Sequence, residues 1–177
     1  MATGYIELPA LAWYPLDGAA SNVAATLDFL TGTGADSPKA RWARWAFDKG
    51  TDGDIDEHVA CSFVMPGDYA SAPVLKVKWY SARTSAETVQ WGCKLLAITP
   101  DAAEDVPTKN YASLNVATAT SCPANANDLA ETTITLTNAD NVAAGDLVTL
   151  ILYRDVSGDD ADGDAYMLAC ELSYTTG

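Results

Sequence analysis

The chain has 177 residues, about half of them apolar, and sets 24 Asp plus Glu against 10 Lys plus Arg for a net charge of −14. That length suits one domain with a sizeable core, and the apolar share excludes a disordered composition. The charge argues against nucleic acid, whose phosphates call for a basic surface, and against anionic membrane surfaces; it favours solubility and repulsion between free copies.

The N-terminal stretch "MATGYIELPALAWYPLDG" has neither a basic leading region nor a long apolar run. It predicts no signal peptide and synthesis in the cytoplasm. Apolar runs throughout are strand-sized, too short to span a bilayer. Within residues 1–40, "YIEL" and "LAWY" read as short strands, "SNVAATLDFLTG" (21–32) mixes helix and strand character, and 32–40 reads as a loop. This segment is expected to be an N-terminal arm, packed along the main domain or against a neighbouring subunit.

From residue 41 the pattern is strand-like almost throughout. Expected strands run over 41–48, 58–65, 74–81, 88–98, 110–120, 132–138, 146–155 and 165–176. In "HVACSFVM" (58–65), Val59, Cys61, Phe63 and Met65 share one face; in "VLKVKWYS" (74–81), Leu75, Val77 and Trp79 oppose Lys76, Lys78 and Tyr80. "DLVTLILYRD" (146–155) is apolar on both faces and reads as a strand covered on both sides. Turn-rich segments separate the eight. The fold class is therefore all-β: an eight-stranded jelly-roll β-sandwich over 41–177 with an N-terminal arm over 1–40. With the strands lettered B to I in chain order, one sheet should run B-I-D-G and face a second that runs C-H-E-F.

Two acidic stretches stand out, "DKGTDGDIDEH" (48–58) and "RDVSGDDADGDAYM" (154–167). In the jelly roll they become the BC and HI loops, which gather at one pole, where the FG loop adds Asp128. Asp52, Asp54 and Asp56, and likewise Asp160, Asp162 and Asp164, have the alternate spacing with which loop carboxylates can ligate calcium. Neither run is an EF-hand: the sixth position holds Glu57 or Ala165 where Gly is required, and Glu171, at the twelfth of the second, should lie inside a strand. The competing reading is a solvated acidic apex without a metal. No other cofactor is implied.

Cys61, Cys93, Cys122 and Cys170 are spread out, without a C-x-x-C, and read as free buried thiols. His58 is the only histidine, with no nucleophile motif near it, and reads as an exposed loop-edge residue. Asp-rich loops could supply a carboxylate pair for glycoside hydrolysis, but they lack the apolar pocket that raises the acid's pKa. The chain is expected not to be an enzyme. Trp42 and Trp45 are three apart, so in a strand they face opposite sides, and one becomes a candidate for a subunit contact or an exposed stacking face.

Residues 58–95 combine a strand ending in V-M-P, a G-D-Y turn, a V-L-K-V strand and a V-Q-W strand. Residues 143–175 combine A-G-D opening a strand, R-D closing it, an Asp-rich loop and a final strand ending in Tyr. Together they resemble small jelly-roll virion proteins of tailed bacteriophages. The resemblance implies capsid decoration (cement) proteins or fibre and spike domains, often trimeric, and carries over no site residues. The expectation is a non-enzymatic structural protein on the outer capsid surface, a homotrimer whose partner is the major capsid protein. It would act by mass action, stabilising the assembled shell it alone binds. The alternatives are a fibre or spike head that binds a host glycan or receptor, perhaps with calcium, and a cellular surface-layer or filament β-sandwich.

Overall fold

The computed structural model describes residues 2–16, 23–49 and 56–177. In chain order its strands are β1 (Thr3–Pro9), β2 (Tyr14–Pro15), β3 (Val23–Ala24), β4 (Thr26–Thr31), β5 (Arg41–Phe47), β6 (Glu57–Val64), β7 (Tyr69–Ser81), β8 (Thr88–Val89), β9 (Trp91–Ile98), β10 (Asn115–Val116), β11 (Thr120–Ser121), β12 (Ala130–Thr135), β13 (Leu147–Arg154) and β14 (Ala165–Thr176). A single 3-10 turn, Ala10–Ala12, is the only helical element among the described residues, and no helix there is long and apolar enough to cross a membrane.

Two six-stranded sheets face each other. One runs β12-β7-β14-β5-β4, with β1 also paired to β14; the other runs β10-β9-β13-β6-β2, with β3 also paired to β6. The expected strands B, I, D and G are β5, β14, β7 and β12, and C, H, E and F are β6, β13, β9 and β10. Both orders are those of the jelly roll, and the fold is the expected all-β sandwich.

Three details differ from the sequence reading. Strand F is short: only Asn115–Val116 pairs with β9, and residues 110–114 lie outside any strand. Strand E breaks at Gln90, whose carbonyl accepts instead from the backbone N–H of Asp155 at 2.9 Å. The first 40 residues also do more than lie along the sandwich. β1 extends the first sheet through seven residue pairs with β14. β4 forms a hairpin edge on β5, and β2 and β3 pair with β6 in the second sheet.

Side-chain parity builds the core between the sheets. Phe47, Trp79 and Met167 from the first sheet meet Trp91, Cys93, Leu95, Leu150 and Leu152 from the second, all buried. The Trp91 ring meets Phe47 edge-on at 4.9 Å and Trp79 at 6.2 Å. All four cysteines are free and buried. β13 pairs on both edges, with β6 and β9, and is buried over most of its length, as its two-sided apolar pattern predicts.

The same parity that points Leu150 and Leu152 inward also points Arg154 inward, and its side chain is fully buried. The guanidinium has five N–H donors, and each finds an oxygen. Nε donates to Asp159 Oδ2 at 2.6 Å, and Nη2 to Asp159 Oδ1 at 3.1 Å and to the Ala161 carbonyl. Nη1 donates to the Phe47 carbonyl at 3.0 Å and the Gly163 carbonyl at 2.5 Å. Asp159 is itself fully buried. One cation thus ties the end of β5 to the loop before β14.

Removing one member of a buried, fully bonded ion pair strands the other charge, which costs about 3–5 kcal/mol. Arg154→Met should lower stability by that order in urea unfolding, and Arg154→Lys should fall well short of wild type because an ammonium brings only three donors. A loss below about 1 kcal/mol for Arg154→Met would mean that the pair is not what holds this pole.

Candidate ligand-binding groove

The two acidic stretches do meet at one pole. Lys49 Nζ lies 3.9 Å from Asp159 Oδ1 and 3.8 Å from Asp162 Oδ1, and the backbone N–H of Val156 donates to Asp56 Oδ1 at 3.1 Å. Asp52 and Asp54 lie outside the described residues. The other four candidate calcium ligands turn to separate partners. Asp56 caps Val156. Asp160 Oδ1 accepts from the backbone N–H of Thr88 and, at 2.9 Å, from its hydroxyl. Asp162 is largely exposed beside Lys49, and Asp164 accepts from the Tyr166 hydroxyl at 2.8 Å. Among the described residues no cluster of three His, Cys, Asp or Glu side chains could hold a metal ion. At this pole, the buried cation that gathers carbonyl and carboxylate oxygens is Arg154, with the more exposed Lys49 beside it.

His58 is not the exposed residue the sequence suggests. It is 8% exposed, its ring stacked on Tyr153 at 5.2 Å, with Nδ1 against the Asp56 carbonyl at 2.9 Å. Burial holds its pKa below the ordinary value.

Trp42 and Trp45 divide as their spacing requires. Trp45 is 2% exposed and donates its indole N–H to the Ala10 carbonyl at 2.8 Å, so it is a core residue. Trp42 is 47% exposed, on the outer face of the first sheet, opposite Leu30 in the β4–β5 pair. It borders a groove of about 510 Å³ whose lining includes Leu30, Tyr80, Asn127, Leu129, Tyr166 and Leu168. A volume of that order is typical of small-molecule pockets.

The floor of the groove is a fixed aromatic stack. Tyr80 and Tyr166, cross-strand partners in β7 and β14, stack at 4.9 Å with their planes 23° apart. Arg44 lies over Tyr166, its guanidinium carbon 4.0 Å from the ring centroid, and donates to the Tyr80 hydroxyl. Its Nε and Nη2 both donate to Asp28 Oδ2, at 3.1 and 2.6 Å. Those bonds hold the Asp28 carboxyl below the usual range. Burial and the bond to Asp164 push the Tyr166 phenol up to about 12, so it stays a neutral donor. Sequence reasoning missed Tyr80, Tyr166 and Arg44. The expected B-I-D-G order already sets β5, β14 and β7 side by side, but the bulge between Met167 and Ala169, which turns Tyr166 to the outer face opposite Tyr80, was not readable.

Arg44 and Tyr166 also line a smaller cleft of about 370 Å³, which extends the groove toward the acidic pole past Asp28, Asp48, Glu57 and Asp164. Glu57 Oε2 accepts from the backbone N–H of Asp48 at 2.7 Å.

Comparison with known proteins adds a fold and no family. No family model matches the chain, and no curated protein matches it significantly. Among solved structures, an arabinose-bound α-L-arabinofuranosidase, MgGH51, aligns over 95% of this chain and 24% of its own, at 8% identity and a TM-score of 0.50. The xylan-binding module CBM15 aligns over 99% of each chain at 15% identity and 0.47. A family 35 carbohydrate-binding module from Clostridium thermocellum aligns over 96% of this chain and 97% of its own at 10% identity and 0.45. At these identities the likeness is one of fold. The chain is a β-sandwich of jelly-roll topology, and the likeness to phage virion proteins rests on the sequence stretches that carry it.

Burial pushes the Glu57 carboxyl up to about 7, against an ordinary 4.5; the Asp48 N–H bond opposes this, and the charges of Asp48 and Asp164 add to it. Between those two values the unfolded chain has released this proton while the folded chain keeps it, so stability falls as pH rises through the window. Glu57→Gln keeps an acceptor for Asp48 and removes the titration. Urea midpoints at pH 5 and pH 8 should show a smaller fall for the variant than for wild type, and a variant more stable than wild type at pH 8. Equal falls in the two proteins would show that Glu57 ionises freely in the fold.

Proposed function

We propose that the chain is a non-catalytic glycan-binding module whose ligand, a neutral oligosaccharide, lies in the groove on the outer face of the first sheet. The observation that carries the reading is Trp42. Its indole is half exposed, while Trp13, Trp45, Trp79 and Trp91 are buried, and it stands at the rim of a groove floored by Tyr80 and Tyr166. An exposed aromatic ring is unfavourable in water unless something covers it, and the flat C–H face of a pyranose does so while its hydroxyls keep hydrogen-bonding. Neutral side chains, Thr31, Thr33 and Asn127, line the same groove and suit those hydroxyls. The one cation in its lining, Arg44, is occupied by Asp28, which leaves no free positive charge there for an acidic sugar.

On a virion, this groove would make the chain a fibre or spike head that recognises a host glycan in preference to a cement for the shell. The capsid-surface placement, the trimer and the major capsid protein as partner stay proposals that rest on the sequence resemblance alone.

Trp42 is the single indole that iodide should quench readily, so its fluorescence reports the groove directly. Adding neutral β-linked hexaoses of glucose, xylose or mannose should protect it, and in calorimetry Trp42→Ala should weaken binding by ~2 kcal/mol, about thirtyfold. Trp45→Ala should act differently, costing about 3–5 kcal/mol of stability through a core cavity. If no neutral glycan protects Trp42 from iodide, the groove is not a sugar site.

A further inference from the structure

A second recess, of about 690 Å³, lies at the pole away from the acidic loops. Its walls are the start of β7, residues Ala112 and Ser113, and the connection from β12 toward β13. We propose that it is a separate binding site for a neutral, polyhydroxylated ligand of the size of one or two sugar units.

Charge is the first argument. The chain carries −14 overall, yet the recess is lined by one charged residue, Asp140. That carboxylate is taken: Lys109 Nζ sits 3.6 Å from Oδ2, which also accepts from the backbone N–H of Ala97 at 2.9 Å. The remaining polar lining is hydroxyl and amide, from Ser71, Ser113, Thr135, Thr137, Asn138 and Asn141, with the Tyr69 ring beside them. Such a set pairs with sugar hydroxyls as donor and acceptor alike, and offers an ion nothing.

Rigidity is the second. Asn115, buried behind the wall, donates to the Asn138 carbonyl at 3.1 Å and accepts from the Asn138 N–H at 2.9 Å. Asn138 in turn donates to the Leu114 carbonyl at 3.0 Å. Tyr69 leans on Tyr174 at 5.6 Å, whose hydroxyl donates to Asp68 at 3.0 Å. A wall held in this way loses little freedom on binding, which is where much of the cost of association lies.

Backbone conformation is the third. Of the five left-handed non-glycine residues among those described, Ala72, Asp140 and Asn141, at φ 56°, 51° and 55°, all line this recess. Asp and Asn adopt that region readily, but an alanine does so against its β-carbon. Ala72 is thus the one strained residue of the wall, and strain held at a concavity is found at ligand sites.

The recess is distinct from the Trp42 groove. Tyr69 lines one and Tyr80 the other, at opposite ends of β7, roughly 35 Å apart at the usual strand rise. A polysaccharide could engage both, and the second contact would then be intramolecular and raise avidity without new chemistry.

The test is residue-resolved. The ¹⁵N-labelled full chain is titrated with the neutral hexaoses of glucose, xylose and mannose, separately, to about 10 mM, a range that detects millimolar affinity. Saturable shifts are expected for the amides of Ser113, Thr137, Asn138 and Asn141, and the same shifts in Trp42→Ala. Thr137→Trp and Ser113→Trp, both at exposed positions, should fill the mouth and cut these responses about tenfold while iodide protection of Trp42 is unchanged. No saturable shift at the recess with any of the three sugars would overturn the proposal, as would recess shifts that vanish in Trp42→Ala. Recess shifts alongside a silent Trp42 would support this site and refute the groove.

Discussion

A single guanidinium decides the shape of one end of this molecule. Arg154 reaches inward from β13 because strand parity leaves it no other direction, and it would be an intolerable charge there alone. Asp159 neutralises it, and the carbonyls of Phe47, Ala161 and Gly163 take its remaining donors. The loop before β14 is thereby wound around a side chain, and its carboxylates other than Asp159 turn to other partners. Thr88 draws Asp160 to β8, Tyr166 draws Asp164 to the sheet face, and Asp162 lies exposed beside Lys49. The segment from Asp159 to Gly163 is, in space, wound around a cation of the chain's own.

The groove depends on that winding at one remove. Asp164 is both a product of the loop geometry and the acceptor that orients Tyr166. Tyr166 stacks on Tyr80, and Arg44 bridges the pair to Asp28 on the edge strand β4. Four strands, β4, β5, β14 and β7, are joined on their outer face by side chains as well as by backbone pairing. A cation over a ring is worth more when partly desolvated, and here it also fixes the ring plane. The proposed binding surface is thus made of rings already held in place without a ligand.

Much of this architecture was legible in the amino-acid order, for identifiable reasons. Alternation in 58–65 and 74–81 is strict enough to give strand and face together, and eight strand-like segments leave few arrangements other than the jelly roll. In 165–176 unbroken alternation puts Tyr166 and Leu168 on the face of Cys170 and Leu172, but a β-bulge between Met167 and Ala169 turns Met167 inward and Tyr166 outward. The split between Trp42 and Trp45 follows from a spacing of three. The illegible parts fail for equally specific reasons. Residues 110–114 alternate without an apolar face to bury, and only Asn115–Val116 pairs with the neighbouring strand. β1 reads as a fragment because its pairing partner, β14, lies at the other end of the chain. Arg154 followed by Asp155 reads as a strand closing on polar residues. Nothing local marks it as the centre of a buried cage, because its oxygens come from Phe47 and from residues five to nine positions further on. The tyrosine floor of the groove is illegible for another reason: β7 and β14 are neighbours in the expected order, but only the bulge between Met167 and Ala169 turns Tyr166 outward onto Tyr80.

The surplus of acid also bears on what the groove can accept. Arg154 is satisfied by Asp159, and Asp162, largely exposed, has only Lys49 beside it. The carboxylates at the end of the groove, Asp28, Asp48, Glu57 and Asp164, likewise outnumber the one guanidinium among them. At physiological salt the field of such a group fades over about 8 Å, so it cannot steer ligands from a distance, but it acts on whatever lies in the groove itself. A uronate or sulfate placed beside Tyr166 would sit within that range of several like charges and gain no compensating cation, because Arg44 is committed to Asp28. A neutral sugar pays no such penalty and can still donate hydroxyl protons to the same carboxylates. On the proposed reading, the acidic pole would work by exclusion and the aromatic half of the groove would supply the attraction.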